Sequence, residues 1–240
     1  MSTYTIHRYG QAFSITVEGD KFAEEIYARG ELSEQPMLDW IERNVPRGGL
    51  WIDGGANVGN HTMAFSLWAD AVLAFEPMRV NLALLLGNLK GWCCAAKVAP
   101  FLEGLSDKPG KLGAVMGGTG QNCQWILQPD TNGFVNVTTV DDRVNSHGGG
   151  LPVRLIKLDV EGMEPQALAG ARQTLEHYRP ELFMEIWEDE VLEQIKAYLA
   201  PLGYILIERY NVAPTYHFSA SGRYPVTYTK PPQPSSGYPR

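Results

Sequence analysis

The run Leu50-Trp51-Ile52-Asp53-Gly54-Gly55-Ala56-Asn57-Val58-Gly59-Asn60-His61 constrains this chain more than any other stretch of it. A short apolar strand ends in an acid, glycines and an asparagine follow, and helical periodicity then begins. Glycines at such a turn allow positive φ and let a ligand approach the backbone without a Cβ in the way, while the helix start presents unpaired N–H groups. Strand, turn and helix together read as a small-molecule cradle.

Similar alternation continues on both sides of the middle of the chain. Strand 50–52, helix 57–69, strand 72–75, helix 79–90 and a strand near 95–100 follow one another. Strand 154–158 comes next, then a helix opened by Pro165, where the missing N–H costs nothing, strand 181–186, helix 189–199 and two β segments at 204–209 and 215–219. This order implies a parallel sheet with helices on both faces. Ahead of it, residues 4–17 alternate about Gly10 as in a β-hairpin, and 22–30 and 35–44 read as helical, so that 1–45 form a cap on the main domain at 46–219. The stretch 104–135 is rich in Gly, Asn and Gln, with β-like pieces at 111–116 and 122–127, and reads as an inserted loop or hairpin. From 220 to 240 Pro, Ser, Tyr and Gly dominate without an acid. Such a tail buries too little apolar surface to offset its ordering entropy and is expected to be flexible or loosely docked.

Bulk properties narrow the partners. The 240 residues, 44% apolar and 20% charged, describe an ordinary globular domain with a full core. A net charge of −7 argues against nucleic acid, whose phosphates demand a basic face. No apolar run approaches the ~20 residues of a membrane span, and the N-terminus lacks a signal-peptide pattern. The expected setting is cytoplasmic, the expected partner a small molecule, and the oligomeric state is open. Three cysteines, two of them adjacent (Cys93 and Cys94), have neither disulfide-framework nor metal-site spacing and are expected to be reduced.

The details of the turn select its ligand. A phosphate loop needs Gly-Lys-Ser/Thr at the helix start, and Gly59-Asn60-His61-Thr62 has no lysine. A dinucleotide site needs Gly-x-Gly-x-x-Gly, which Gly55-x-x-x-Gly59 does not supply. The spacing Asp53-x-Gly55-x-Asn57-x-Gly59 instead resembles the first motif of class I S-adenosylmethionine methyltransferases, with Asn57 in the middle glycine's place. Asn tolerates a left-handed backbone better than other non-glycine residues. Glu76, at the end of strand 72–75, stands where an acid accepts hydrogen bonds from ribose hydroxyls.

Taken in order, Trp51 to Gly59, Phe75-Glu76-Pro77 with Asn81, Leu105-Ser106-Asp107 and Ile156-Lys157-Leu158-Asp159-Val160-Glu161-Gly162-Met163-Glu164 resemble the FkbM family of methyltransferases over about residues 10 to 210. The resemblance implies a class I, Rossmann-like α/β fold with a mostly parallel seven-strand sheet and an antiparallel C-terminal hairpin. It implies S-adenosylmethionine as cofactor, and methyl transfer to a hydroxyl of a sugar, glycan or secondary metabolite. It places Asp53, Gly55, Asn57, Gly59 and Glu76 at the cofactor, with Ser106 and Asp107 bordering the adenine. A Ser-Asp pair is equally ordinary turn chemistry.

Asp159, Glu161 and Glu164 follow strand 154–158 at the carboxyl end, where open α/β sheets bind ligands. In extended backbone Asp159 and Glu161 share a face. Three readings compete for them. Glu161 or Asp159 is the base that takes the acceptor's hydroxyl proton; the three acids hold Mg²⁺ or Ca²⁺, which is not favoured; or Glu164 caps a helix and Glu161 holds a loop. Glu164 and His61 are candidate acceptor contacts, with packing or capping the alternative for His61. His217 is explained by strand alternation, Trp187 by a pocket wall, and Glu34, which aligns with an acid common in the resembling family, by helix capping. N-methylation of a small molecule and a non-catalytic cofactor-binding module are the other functions compatible with the cofactor motifs.

Overall fold

The structure is a computed structural model that describes residues 1–117, 124–128, 133–211, 213–220 and 222–229. A hairpin of β1 (Ser2–Arg8) and β2 (Gln11–Val17) leads into α1 (Lys21–Ala28) and α2 (Gln35–Asn44). Then come β3 (Leu50–Gly54), α3 (Asn60–Trp68), β4 (Ala71–Phe75), α4 (Arg79–Leu89) and β5 (Val98–Phe101). The inserted region holds β6 (Gly104–Leu105), β7 (Gly110–Gly117), β8 (Gln124–Gln128) and β9 (Val135–Thr138). The second half runs α5 (Val140–His147), β10 (Val153–Leu158), α6 (Glu164–Ala169), α7 (Arg172–Tyr178), β11 (Glu181–Glu185), α8 (Asp189–Leu199), β12 (Tyr204–Tyr210) and β13 (Thr215–Ala220).

Seven strands form one sheet in the order β12-β13-β11-β10-β3-β4-β5. From β11 to β5 every pairing is parallel, and β13 runs antiparallel to both β11 and β12. The chain starts in the middle, at β3, and reverses direction across the sheet at the β3–β10 boundary. At such a boundary the loops at the strands' carboxyl ends diverge and open a crevice.

Strand alternation divides the interior. Trp51, Leu155 and Phe183 face a core shared with α3, α4 and the N-terminal cap, where Ile6, Phe13, Met37 and Ile41 are fully buried. Ile52, Ile156 and Leu182 face the opposite core, filled by Val140, Leu168, Leu175 and Leu199 from α5 to α8. The cap face also carries polar residues. Asp53, Lys157, Phe183 and His217 occupy one row across four neighbouring strands, and all four are buried.

Several boundaries differ from the sequence expectation for local reasons. α3 begins at Asn60 rather than at residue 57, because Asn57 and Gly59 both have positive φ. The insertion is a four-stranded sheet, β6-β9-β7-β8, in which β7 and β8 form an antiparallel hairpin; residues 122 and 123 of the expected β piece lie outside the described residues. β9 and α5 had only brief apolar patterns, Val135 with Val137 and Val140 with Val144, and the helix expected from Pro165 is two, α6 and α7. α5 is set by its caps: Thr139 Oγ1 accepts the Asp142 N–H at 3.0 Å. Asp141 in turn accepts the Gln173 and Thr174 N–H groups, each at 2.9 Å, opening α7. Past β13 the described residues stay on the body. Thr227 and Tyr228 donate to the Ile207 carbonyl and Arg223 pairs with buried Glu181. The flexibility expected of the tail falls, for 230–240, outside the described residues.

Candidate active site

The turn after β3 is made by backbone. Gly55, Asn57 and Gly59 have φ of 77°, 48° and 95°. Gly55 has a second reason to lack a side chain, since a Cβ there would stand 1.7 Å from the Asp159 carbonyl oxygen. The Gly55 and Ala56 N–H groups both donate to the Phe75 carbonyl, at 3.0 and 2.9 Å. The turn is thereby folded over the end of β4 and meets Glu76. Asn57 N–H donates to Glu76 Oε2 at 2.9 Å and Met78 N–H to Oε1 at 2.8 Å, and the Asn81 side chain hydrogen-bonds the same carboxylate. Burial pushes this carboxyl up to about 7 against the pull of the Met78, Asn57 and Asn81 hydrogen bonds.

Beneath the turn Asp53 is sealed. Thr62 Oγ1 donates to its Oδ2, while Oδ1 has no hydrogen-bond partner among the described residues. Leu105 presses on Gly54, where a Cβ would come within 2.8 Å of its Cδ1, and so brings Ser106 alongside. Ser106 is buried, with its N–H on the Thr138 carbonyl at 2.9 Å and its Oγ 3.1 Å from Oδ1 of exposed Asp107.

The carboxyl ends of β10 and β11 form the other half. Lys157 is sealed inside, with Nζ 3.1 Å from Asp159 Oδ2. Burial disfavours the ammonium, yet Asp159, Asp53 and Glu34 raise it above the ordinary lysine range. Burial also disfavours the Asp159 carboxylate, but Lys157 outweighs it and holds Asp159 below its usual range. Glu185 shares a hydrogen bond with Asp159, and burial together with that charge pushes it up to about 11. Asp159 is thus ionised and engaged, and Glu185 is protonated beside it.

Asp159 and Glu161 do not share a face of an extended strand. β10 stops at Leu158, and Glu161 stands in a left-handed turn (φ 55°) followed by Gly162 (φ 92°). Glu164 builds that turn: its Oε1 accepts the Val160 N–H at 3.0 Å and the Gly162 N–H at 3.3 Å. Burial pushes Glu164 up to about 7. Glu161, half-buried, is pushed up to about 8 by burial and then by the charges of Asp159 and Glu164. Asp159, Glu161 and Glu185 line a cleft whose other wall is Ile186, Trp187 and Val191. Among the described residues no three His, Cys, Asp or Glu side chains are arranged to hold a metal ion.

The cap closes the site through Glu34, which also adopts a left-handed backbone (φ 57°). Its side chain does not cap α2. Instead Oε2 is 3.0 Å from His61 Nε2, and Oε1 accepts from Asn211 Nδ2 at 2.6 Å and Thr215 Oγ1 at 2.5 Å. His217 belongs elsewhere: Nε2 is 2.8 Å from Glu181 Oε2 and its ring stacks on Phe183. Sequence reasoning missed Lys157 and Glu185, and the helix cap it offered for Glu34 is not formed. A lysine inside the apolar run Leu155 to Leu158 was the available signal; Glu185 had none beyond its place at a strand's carboxyl end.

With this geometry, comparison with known proteins is decisive at the family level. Residues 53–206 match the model of the methyltransferase FkbM domain. The chain belongs to the FkbM methyltransferase family. Its fold is that of class I methyltransferases. The crystal structure of methyltransferase FkbM from Methylobacillus flagellatus KT superposes with a TM-score of 0.55 at 18% identity, over 71% of this chain. This chain spans 43% of that protein's length. SMU.1697c, a putative methyltransferase from Streptococcus mutans whose structure is a complex with S-adenosylhomocysteine, gives 0.50 at 13% identity, covering 76% of this chain and 93% of its own. No curated protein matches. Among the described residues no helix is long and apolar enough to cross a membrane.

Proposed function

We propose that this methyltransferase uses S-adenosylmethionine to methylate a hydroxyl of a sugar, glycan or other small metabolite. The donor set fits that cofactor. Among the described residues Asp53 Oδ1 is a sealed acceptor without a partner, Glu76 would offer its remaining acceptor capacity to a ribose hydroxyl, and the cation nearest these acids, Lys157, is held by Asp159. Gly55, Asn57, Gly59 and Glu76 would hold the nucleoside, with Ser106 and Asp107 at its base. The Streptococcus mutans protein, of similar fold, binds the demethylated product. When bound, the cofactor supplies an electrophilic methyl group on a sulfonium.

The observation that carries the choice of acceptor is Glu161. A hydroxyl is a poor nucleophile while protonated, and a base is most effective when its pKa lies near the working pH. Asp159, tied to Lys157, is held too low; Glu161, pushed up to about 8, is poised to take the proton. Glu164, spent on the backbone of the turn, fixes Glu161 in place. These acids act without a metal, since Asp159 and Glu164 already have partners.

The test is methyl transfer from labelled S-adenosylmethionine into fractionated cell extract, with mass spectrometry of the product and calorimetry with S-adenosylhomocysteine. Label on a hydroxyl is expected, undiminished by exhaustive EDTA, with turnover rising through about pH 8. Glu161→Gln should lower kcat roughly 100-fold or more. Label confined to amines, or no binding of the homocysteine product, overturns the reading.

A further inference from the structure

Of the six tryptophans in the chain, Trp40, Trp51, Trp68 and Trp92 pack against other rings. Trp187 does not. Among the described residues no ring contact, cation or hydrogen bond engages its indole, and it is 58% exposed. Its place is fixed from both sides all the same. Ile186, one residue before it, is buried and donates its N–H to the Pro214 carbonyl at 3.0 Å. One residue after it, the Glu188 carbonyl accepts the Leu192 N–H at 3.1 Å as α8 opens. The short link from β11 to α8 thus holds the indole at the carboxyl end of the sheet, where it lines the cleft of Asp159, Glu161 and Glu185. A single exposed apolar side chain is ordinary on a protein surface. One that walls the cleft of the proposed base stands where ligand sites place their aromatic residues.

The two walls of the cleft select a ligand. One is apolar, formed by Ile186, Trp187 and Val191, and the other presents the carboxyl groups of Asp159, Glu161 and Glu185. Despite that composition the polar wall carries little charge. Burial and then neighbouring charges push Glu161 up to about 8, and burial with the Asp159 charge pushes Glu185 up to about 11, so both hold protons near neutral pH. Asp159 is ionised but lies 3.1 Å from Lys157 Nζ. Glu164 is spent on its turn, and Glu188 is exposed to water. A cationic ligand gains little from such a wall, and an anionic one meets no positive side chain among the described residues that line the cleft. Carboxyl groups that carry protons both donate and accept hydrogen bonds. Three carboxyl groups side by side suit a ligand with several hydroxyls, and a flat indole opposite suits a ring with C–H bonds on its faces and hydroxyls at its edge.

We propose that Trp187 is the platform for the acceptor, and that the acceptor is an uncharged pyranose ring stacked on the indole through its C–H face, with its hydroxyl edge turned to Asp159, Glu161 and Glu185. The inference narrows the acceptor to one class and rests on the methyl-transfer reading above. An aromatic phenol would stack on the same ring, but it brings too few hydroxyls for the polar wall.

The test uses labelled S-adenosylmethionine and serial dilutions of the extract fraction that accepts label. Trp187→Ala should raise the amount of that fraction needed for half-maximal rate roughly 10- to 100-fold. The maximal rate, the melting temperature and the affinity for S-adenosylhomocysteine should stay near those of the wild type. Trp187→Phe, which keeps a flat ring, should recover most of the loss, and Trp187→Leu, apolar but not flat, should not. Acid hydrolysis of the labelled product should leave the label on a neutral monosaccharide unit. Unchanged half-saturation in Trp187→Ala, or Trp187→Leu equal to Trp187→Phe, overturns the platform. Label on a phenol, on an acyclic alcohol, or on a sugar bearing phosphate or carboxylate overturns the pyranose. Each of those results leaves methyl transfer standing when calorimetry shows the wild type binding S-adenosylhomocysteine. Absence of that binding sinks the methyl-transfer reading, and the platform with it.

Discussion

The two halves of the proposed site, for the methyl donor and for the acceptor, are built in opposite ways. On the donor side, seven consecutive residues from Asp53 to Gly59 and one acid at Glu76 are arranged by backbone: positive φ at three positions, two N–H groups on the Phe75 carbonyl and one on Glu76. On the proposed acceptor side, Glu34, His61, Lys157, Glu161, Glu185 and Thr215 come from five separate segments and are arranged by side-chain contacts. A backbone-built half tolerates little sequence change and is recognisable as a motif. A half built by side-chain contacts depends on who is nearest in space, and the protonation of each titrating member depends on the others.

The largest expected effect lies where the halves touch. Gly55 is packed on the carbonyl of Asp159, at 1.7 Å from where a Cβ would be, and has φ of 77°. Gly55→Ala must move either the turn or the end of β10. It should cost at least about 3 kcal/mol or abolish folding, read by urea denaturation. A stable Gly55→Ala protein would show that the halves are more independent than the geometry says.

Removing the buried cation of the proposed acceptor half comes next. Lys157 holds Asp159 at 3.1 Å with Asp53 and Glu34 nearby. Lys157→Met leaves buried acids uncompensated and should cost about 3–5 kcal/mol. Asp159→Asn in the same chain should return a large part of it, because the two residues form one electrostatic unit. Additive losses in the double-mutant cycle would mean that Lys157 serves packing, not charge.

How much of this was legible in the sequence follows from the same contrast. The parallel sheet, the turn and Glu76 could be read because strand periodicity, glycine spacing and strand-end position are local signals. Within the turn even Asn57 was readable, as the residue that best substitutes for glycine at positive φ. The helix start three residues later was not, because positive φ at Gly59 as well as Asn57 delays α3. Glu161 was identified by type and neighbourhood, but its left-handed turn was hidden, since Glu164 creates it through Val160 and Gly162 N–H groups. Glu34 was visible as an acid that aligns with one common in the family and as a candidate helix cap, but not by its partners. Its partners Asn211 and Thr215 lie 177 and 181 positions away, a distance over which no periodicity carries information. α5, and the separation of α7 from α6, went unseen because side-chain caps at Thr139 and Asp141, rather than a long apolar stripe, define them.

The smallest effect separates the halves by pH. Burial raises Glu76 and Glu164 to about 7, Glu161 to about 8 and Glu185 to about 11. Each binds its proton more tightly folded than unfolded, so each stabilises the fold fully below the unfolded value near 4.5 and loses that contribution as pH rises through the folded one. Glu34 and Asp159 are lowered and act in the opposite sense, their contribution fading only as pH falls below the ordinary carboxylate range. Between pH 5 and 8, then, the raised group dominates and the melting temperature of the ligand-free protein should fall as pH rises. Glu161→Gln and Glu76→Gln each remove one ionisation and should each flatten the slope. S-adenosylhomocysteine should flatten it further only through Glu76, because the ribose hydroxyls would bond to its ionised form. A slope left unchanged by the homocysteine product in wild type, or changed equally in Glu76→Gln, would place Glu76 outside the donor half.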